Sequence, residues 1–286
     1  MTRKLTLTAC LATIALAVAS PSRADQPLWE LGLGAGWLQL PHYRGSDQNH
    51  QWLLPVPYAV YRGEIFRANR DGARAVLLDS ERLDIDISTA LSAPIRSSGN
   101  RARAGMPNLA PTLELGPNVN FNLAKGVLKG GAWDGSALEG TAWKLDLRLP
   151  VHAVATLESG VHGIGATANA IINLDLRWQG WNIGAQAAAV YGSGRYHRYF
   201  YDVAAPFATG TRPAYSAAAG FGGMRYTLGA SKRLGNTWLG TFVRADSLDG
   251  ARFVASPLVR KQHTVSAGLA LSWVFASSDA RVTVDD

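Results

Sequence analysis

Apolar and polar side chains alternate along most of this chain with a period of two residues. In the first such segment, tryptophan, leucine and alanine occupy the odd positions from 29 to 37, and Glu30 and three glycines lie between them. The same alternation recurs in six further segments, which are 83–92, 113–123, 143–152, 172–178, 181–186 and 265–275. Successive side chains of a strand point to opposite faces. Each segment is therefore predicted to be a β-strand with one apolar face.

Turn signals separate these segments, and no convincing helical period follows residue 24. The turn signals are Asp71-Gly72, Gly130-Gly131, Gly180, Gly222-Gly223, Gly235-Asn236 and Asp249-Gly250. From segments and turns together we expect about twelve strands, with about ten as the alternative. These strands are predicted to form one domain over residues 25–275. The tail 276–286 ends in acidic residues and is expected to be loose.

Two architectures produce such alternation. A soluble β-sandwich turns its apolar face inward, whereas an outer-membrane barrel turns it toward lipid and keeps polar side chains in the lumen. The barrel is favoured because most segments are long, the polar face is rich in small residues, and the last strand ends in Phe275. Aromatic residues also lie at segment ends, as interface girdles require; they are Trp29, Trp37, Trp143, Trp178, Trp181, Trp273 and Phe275. The predicted fold is an all-β, transmembrane, antiparallel β-barrel.

The first 24 residues are predicted to be a cleaved signal peptide. Arg3 and Lys4 precede an apolar stretch, and Ser22-Arg23-Ala24 places small residues before a cut after Ala24. The stretch is too short for a transmembrane anchor, and it continues beyond Cys10, which disfavours a lipoprotein. Cys10 is the only cysteine, so the mature chain would have no thiol chemistry.

Composition and charge narrow the classes further. The chain has 286 residues, of which 47% are hydrophobic and 17% charged. Beyond the leader no long apolar run occurs, which excludes a helical membrane protein but not a barrel. The formal charge of +7 includes three basic residues of the leader, so 25 basic and 21 acidic residues remain, a net +4. Export and scattered basic residues argue against nucleic acid as a partner.

The polar face carries charges of both signs. These predicted lumen residues are Asp84, Asp86, Glu114, Lys144, Asp146, Arg148, Asp175 and Arg177. An open ion-selective pore would show one dominant sign. We expect a lumen held by internal salt bridges, with a narrow polar channel as the alternative.

Seven consecutive residues after the first strand carry the most specific motif, Pro41-His42-Tyr43-Arg44-Gly45-Ser46-Asp47. Together with segments 57–63, 70–72, 105–107, 113–117, 199–203, 212–215 and the closing strand, it resembles the MipA/OmpV family of Gram-negative outer-membrane proteins (MltA-interacting protein-like). The resemblance spans essentially the whole mature chain. One departure is the tail after Phe275, since such chains commonly stop near that aromatic residue.

This resemblance implies a non-enzymatic outer-membrane scaffold in peptidoglycan remodelling. Its partners would be a murein lytic transglycosylase and a bifunctional murein synthase, besides outer-membrane lipid and lipopolysaccharide, and the barrel itself would be a monomer. Other family members are described as porin-like or as adhesins, so a passive pore for small solutes remains the alternative. Short periplasmic turns offer little area against the roughly 1,000 Å² of a stable interface.

Chemistry-bearing residues are few. Ser46 and Asp47 lie close to His42 in sequence, which leaves a lipid-acting hydrolase as a third hypothesis. His42, His50 and Asp47 match no known metal-ligand spacing, and we expect no catalytic residue, no cofactor and no metal. The segment 191–201 is rich in tyrosine and arginine and does not alternate. It is predicted to be an outer loop that folds on itself, with a lipid or ligand contact as the alternative.

Overall fold

The computed structural model describes residues 25–69, 72–128, 140–158 and 160–283, and all structural statements below concern these residues. The predicted leader with Cys10 and the predicted turn at Gly130-Gly131 lie outside the described residues. Among the described residues, no helix is long and apolar enough to cross a bilayer.

Twelve antiparallel strands, β2 to β13, close into a barrel in which β13 pairs with β2. This confirms the predicted fold and the strand number of twelve. The strands are β1 (Asp25–Pro27), β2 (Trp29–Pro41), β3 (Asn49–Arg62), β4 (Phe66–Asn69), β5 (Gly72–Asp79), β6 (Leu83–Leu91), β7 (Thr112–Val127), β8 (Ala142–Leu157), β9 (Val161–Trp178), β10 (Trp181–Gly192), β11 (Gly220–Leu234), β12 (Thr237–Ser247), β13 (His263–Ser277) and β14 (Arg281–Thr283). Short 3₁₀ turns cover Ser97–Gly99, Arg101–Arg103 and Ala205–Phe207.

The polarity of the wall is that of a membrane barrel. Leu33 and Trp273 are 57% and 61% exposed on the outside, while Ser272, next to Trp273 in the same strand, is fully buried. The alternation read from the sequence therefore places apolar side chains outward and polar ones inward.

The two ends of the barrel differ. At one end, here the turn end, the fully described connections between strands are short, such as Gln179-Gly180, both with positive φ, and Gly235-Asn236. The opposite loop end carries the connections 42–48, 92–111, 193–219 and 248–262. In outer-membrane barrels short turns face the periplasm and longer loops face outward.

The wall is also uneven around its circumference. The hairpin of β4 and β5 is much shorter than its neighbours, and β3 pairs with β4 only at Tyr61 and Arg62. Most of β3 on that side thus has no strand partner among the described residues.

Three expectations about local structure were wrong, and the first is the turn predicted at Gly222-Gly223, which lies inside β11. The segment 191–201 contains an α-helix, α1 (Gly194–Tyr201), although no helical period was evident. Eight residues are too few to show a convincing period. The Ser193 side chain caps the helix by accepting a hydrogen bond from the backbone N–H of Tyr196.

The tail is also more ordered than expected over its described part. β13 continues to Ser277, and β14 then pairs with β1 in a separate two-stranded sheet at the turn end. The Thr283 hydroxyl donates to the Asp25 carboxylate at 3.0 Å, and the Ser278 N–H donates to the Trp29 carbonyl at 3.0 Å. Backbone pairing with the first residues of the chain orders the tail, and the tail's own sequence gave no sign of it.

Candidate functional site: the capped lumen

The hydrophobic core of this protein lies in its loops. Four connections pack together at the loop end, and we call them the loop cap (42–48, 92–111, 193–219 and 248–262). The buried apolar residues of the cap are Tyr43, Ile95, Leu109, Tyr201, Val203, Ala217, Leu248, Ala251, Phe253 and Leu258. At its centre the rings of Tyr201 and Phe253 stack with centroids 3.7 Å apart. Burial of these side chains gives the cap the hydrophobic stabilisation of an ordinary globular core.

The motif segment forms one side of the cap. Pro41 ends β2 opposite Asn49. Tyr43 is buried, and its hydroxyl donates to the Leu258 carbonyl at 2.8 Å. Burial raises the pKa of Tyr43 to about 12, so it remains a neutral donor at physiological pH. The motif tyrosine therefore fixes one loop to another.

Gly45 is required where it stands. Its φ is +94°, and a Cβ there would lie 2.9 Å from Cδ1 of Leu248. Its carbonyl accepts hydrogen bonds from the N–H groups of Arg260 and Lys261 at 2.7 and 3.0 Å. Only glycine allows this approach of the first loop to the last.

Arg44 joins the cap to the barrel wall. Its Nε donates to the Asp246 carboxylate at 2.7 Å, and its Nη1 donates to the Gly222 carbonyl at 2.8 Å. Arg225 donates to the same Asp246 oxygen at 3.0 Å. Asp246 is 4% exposed. A buried carboxylate shared by two guanidiniums is a strong, geometrically specific link.

His42 and Ser46 meet the same partner and not each other. The amide nitrogen of Asn100 lies 3.0 Å from Nδ1 of His42 and donates to Oγ of Ser46 at 3.2 Å. Ser46 is only 1% exposed. A nucleophile needs a base within hydrogen-bond reach and access to substrate, and this arrangement favours a structural role for both residues.

The remaining contacts of the motif join it to the start of β3 and to the loop 92–111. The His42 ring stacks on His50 with centroids 3.8 Å apart. Burial, and then the neighbouring His50, lower the pKa of His42, while Asp47 acts in the opposite direction. Asp47 pairs with Arg101 at 3.2 Å. Among the described residues, no group of three or more His, Cys, Asp or Glu could hold a metal ion.

The aromatic and basic segment supplies much of the cap. His197 and Tyr201 lie four residues apart on the buried face of α1. Nδ1 of His197 lies 2.7 Å from the Ala218 carbonyl, and the Tyr201 hydroxyl donates to the Arg44 carbonyl at 3.0 Å. Arg195 and Arg198 lie on the exposed face. The segment folds onto the other loops as well as onto itself, and a ligand contact through its arginines stays a hypothesis.

The eight lumen residues predicted from the sequence fall into separate groups. Asp86 is almost fully buried and accepts hydrogen bonds from Asn118 and Asn120, both at 3.1 Å. Asp146 pairs with Arg148 at 2.5 Å and accepts from Asn173 at 3.0 Å. Asp84 accepts a long hydrogen bond from Asn122, and Glu114 accepts one from Thr167. Arg148 also lies 3.4 Å from Asp175. In the sheet, Lys144 is in register with Asp175 and Arg177 with Asn182.

Sequence reasoning missed a polar group beneath the cap. The Ser88 hydroxyl lies 2.9 Å from Nε2 of His152, and Nδ1 of His152 lies 3.5 Å from the Glu114 carboxylate. The contact between Ser88 and His152 passes over Gly116 of the intervening strand β7. A Cβ at Gly116 would collide with the Val151 carbonyl oxygen. The 3.5 Å between His152 and Glu114 is too long for a hydrogen bond. Because these residues come from three strands, only the register could have revealed them.

A second missed group lies near the turn end of the lumen. Glu30 is 7% exposed and lies between Arg62 at 2.9 Å and Arg233 at 3.0 Å. The Tyr58 hydroxyl also donates to Glu30, at 3.3 Å. In the sequence, Glu30 is the single charged residue among the glycines of the first strand, but its partners lie far away along the chain.

A closed twelve-stranded barrel with apolar residues outside, polar residues inside and long loops at one end is an outer-membrane β-barrel. The comparisons give its family: residues 33–275 match the family described as MltA-interacting protein MipA. The chain belongs to this family, as the motif had indicated.

Other comparisons are distant. No curated protein matches the chain. Among solved structures, outer membrane phospholipase A from Escherichia coli is 8% identical with a TM-score of 0.32, over 88% of this chain and 94% of that chain. The CymD monoaromatic hydrocarbon channel is 12% identical with a TM-score of 0.34, over 87% and 89%. At these values neither likeness bears on function.

Proposed function

We propose that this protein is a non-enzymatic scaffold of the outer membrane, which links a murein lytic transglycosylase to a bifunctional murein synthase. The observation that carries the proposal is membership of the MltA-interacting protein family over residues 33–275. The cap and the ion pairs inside the lumen are consistent with it, because a scaffold needs a rigid barrel and no wide channel.

The docking face would be the turn end, which faces the periplasm in outer-membrane barrels. The β1–β14 sheet enlarges this end beyond the short turns. Its residues Asp25 and Arg281 are exposed, and such charges suit the polar rim of a protein interface.

A pull-down from detergent-solubilised envelopes tests the proposal. The tagged protein should recover both murein enzymes, and a chain lacking residues 279–286 should recover less. An Arg195→Ala variant, changed on the loop end, should recover as much as the unchanged protein. Recovery of neither enzyme by a barrel that still migrates as folded on an unheated gel would count against a scaffold.

A passive pore is the second candidate, because inward polar residues line much of the wall and inward Leu54 is still 43% exposed. Planar-bilayer recording separates the two. Stepwise conductance of the unchanged protein would support the pore, whereas silence of the folded barrel would support the scaffold.

Export through a signal peptide cleaved after Ala24 belongs to the same proposal. N-terminal sequencing of the protein from outer membranes should begin at Asp25, the first residue of β1. A monomer is expected on native gels in mild detergent, and a mature chain that retained the leader would contradict the proposed export.

A further inference from the structure

The barrel wall has an opening on one side of its loop end. β3 pairs with β2 along its whole length, but it pairs with β4 only at Tyr61 and Arg62. On the other side, the pairing of β5 with β6 ends at Ser88. The Thr89 hydroxyl still donates to the Ala73 carbonyl of β5 at 3.2 Å. The facing edges of β3 over residues 49–60 and of β6 over residues 90–91 therefore lack strand partners within the described chain. Two missing strands leave roughly 14 Å between backbones, three spacings of about 4.8 Å.

The cap bounds this opening from above. The Gln48 side-chain amide donates to the Gly99 carbonyl at 3.0 Å and accepts from the Arg101 N–H at 2.6 Å. Arg101 in turn pairs with Asp47. These contacts bridge the loops 42–48 and 92–111 across the gap between β3 and β6. We call the opening beneath this bridge, between the two strand edges, the lateral window.

The β3 edge of the window is suited to lipid. The Arg62 N–H donates to the Leu28 carbonyl, on the β2 side. Alternate residues of a regular strand point their N–H groups to the same side, so those of the odd residues face the window. Two of these are Pro55 and Pro57, which have no N–H. Because an unpaired donor in lipid costs several kcal/mol, roughly 2–7 by transfer data, the prolines lower the cost of leaving this edge open.

The lumen behind the window is apolar on the β3 side. Outward Leu53 alternates with inward Leu54, which remains 43% exposed although it points into the barrel. Inward Val56 lies over Gly36, where a Cβ would come within 2.7 Å of it. Inward Trp52 stacks on His50 at 4.9 Å. Accessible aliphatic and aromatic side chains inside a polar barrel indicate a site for an apolar group.

The bridge above the window carries positive charge. The Arg101 side chain is 77% exposed although Asp47 contacts it, and Arg96 in the same loop is exposed as well. Exposed guanidiniums beside an opening to lipid suit an anionic head group, which arginine binds through charge-assisted hydrogen bonds.

We propose that the lateral window admits one acyl chain of an anionic membrane lipid from the outer leaflet into the lumen. The chain would lie against Trp52, Leu54 and Val56, and Arg101 would bind the phosphate of the head group. This binding site is independent of scaffolding at the turn end.

Site-specific quenching tests the site. The mature chain has no cysteine, so Leu54→Cys gives a unique attachment point for a bimane fluorophore. The labelled barrel is placed in nanodiscs that contain phosphatidylglycerol or phosphatidylcholine with a doxyl quencher on one acyl chain. Leu269→Cys, on the lipid-facing side of β13, reports direct contact with lipid. Thr227→Cys, inward on β11 where both neighbouring strands are paired, reports a closed wall.

The Leu54→Cys label should be quenched nearly as strongly as the Leu269→Cys label, and the Thr227→Cys label hardly at all. Phosphatidylglycerol should quench about fivefold more effectively than phosphatidylcholine, which corresponds to about 1 kcal/mol per basic residue. Arg101→Gln should remove that preference and leave the Leu269→Cys label unchanged.

Weak quenching of the Leu54→Cys label, equal to that of Thr227→Cys, would overturn the proposal. Equal quenching by the two lipids would overturn the role of Arg101. If the Leu54→Cys barrel does not fold, Val56→Cys replaces it with the same expected pattern. Because the readout needs no murein enzyme, its failure is distinguishable from failure of the proposed scaffold.

Discussion

The barrel wall and the loop cap are built on opposite principles. In the wall, apolar side chains face outward and buried carboxylates such as Asp86 and Asp146 are held by amides and arginine inside. In the cap, Phe253 and Tyr201 stack in a buried hydrophobic core, as they would in a soluble domain. The wall is thus stabilised by backbone pairing and by lipid around it, whereas the cap is stabilised by its own hydrophobic burial.

This difference predicts that the cap can be loosened while the strands of the wall stay paired. The Arg44–Asp246 link is the shortest of the polar contacts between the two regions that we describe. Each prediction below changes one region and compares it with the other.

The largest effect is expected from Phe253→Ala. Phe253 is 1% exposed, and truncation of such a phenylalanine costs about 3–5 kcal/mol because a cavity remains. Hydrogen exchange should rise throughout the loop cap and stay low in β8 and β9. Phe275→Ala is the control, since Phe275 is 57% exposed on the outer face. Equal loss of protection in cap and wall would show that the two regions unfold together.

A smaller effect is expected from Gly45→Ala. The left-handed backbone costs roughly 1–2 kcal/mol for alanine, and the contact with Leu248 adds overpacking of roughly 1–3 kcal/mol. Gly105→Ala is the matched control, because Gly105 also has positive φ but no atom lies within 4 Å of a Cβ there. Thermal unfolding of the cap, followed by near-ultraviolet dichroism, should separate the two variants. Identical shifts would mean that the crowding at Leu248 is relieved without cost.

Tyr201→Phe should cost less. It removes the hydrogen bond to the Arg44 carbonyl but keeps the stacked ring, so a loss of about 0.5–1.5 kcal/mol is expected. The same near-ultraviolet signal measures it. Tyr226→Phe, on the lipid-facing side of β11, should leave the signal unchanged, and a larger loss than in Gly45→Ala would contradict the ranking.

The smallest effect should come from pH. Burial lowers the pKa of both His42 and His197, so the unfolded cap takes up protons more readily than the folded one. Their contribution to stability is therefore present above about pH 6.5, the value for free histidine, and is lost as the pH falls below it. Protection factors of the cap amides, which correct for the slower intrinsic exchange in acid, should be lower at acidic pH than at neutral pH, and His42→Gln should reduce the difference. A cap that is more protected in acid would contradict the sign.

The same contrast explains what the sequence could predict. Strands of the wall follow from local alternation, because which face a side chain occupies is set by its position in the strand. The contacts of the cap join residues far apart, such as Tyr43 and Leu258, and no period marks them. The motif at Pro41–Asp47 was found by resemblance, but its partners Asn100 and Asp246 were not, because their positions depend on the folded loops.

The lateral window was equally invisible in the sequence. Asp71-Gly72 was predicted to be a turn, and Asp71 lies outside the described residues. The length of the hairpin formed by β4 and β5 depends on pairing and not on composition. Pro55 and Pro57 were the only local hint, since proline in a strand marks an edge. The group of Ser88, His152 and Glu114 likewise depends on the register of three strands.

The β1–β14 sheet also affects how the two ends of the chain are held together when the barrel closes. The seam of the barrel lies between β2 and β13, which join the two ends of the sequence. Just beyond the wall, Asp25–Pro27 and Arg281–Thr283 continue that pairing as a clasp outside the bilayer. Closing so long a loop is entropically costly, and the extra backbone bonds oppose its reopening. With the seam clasped, strain on the barrel would be released at the unpaired edge of β3.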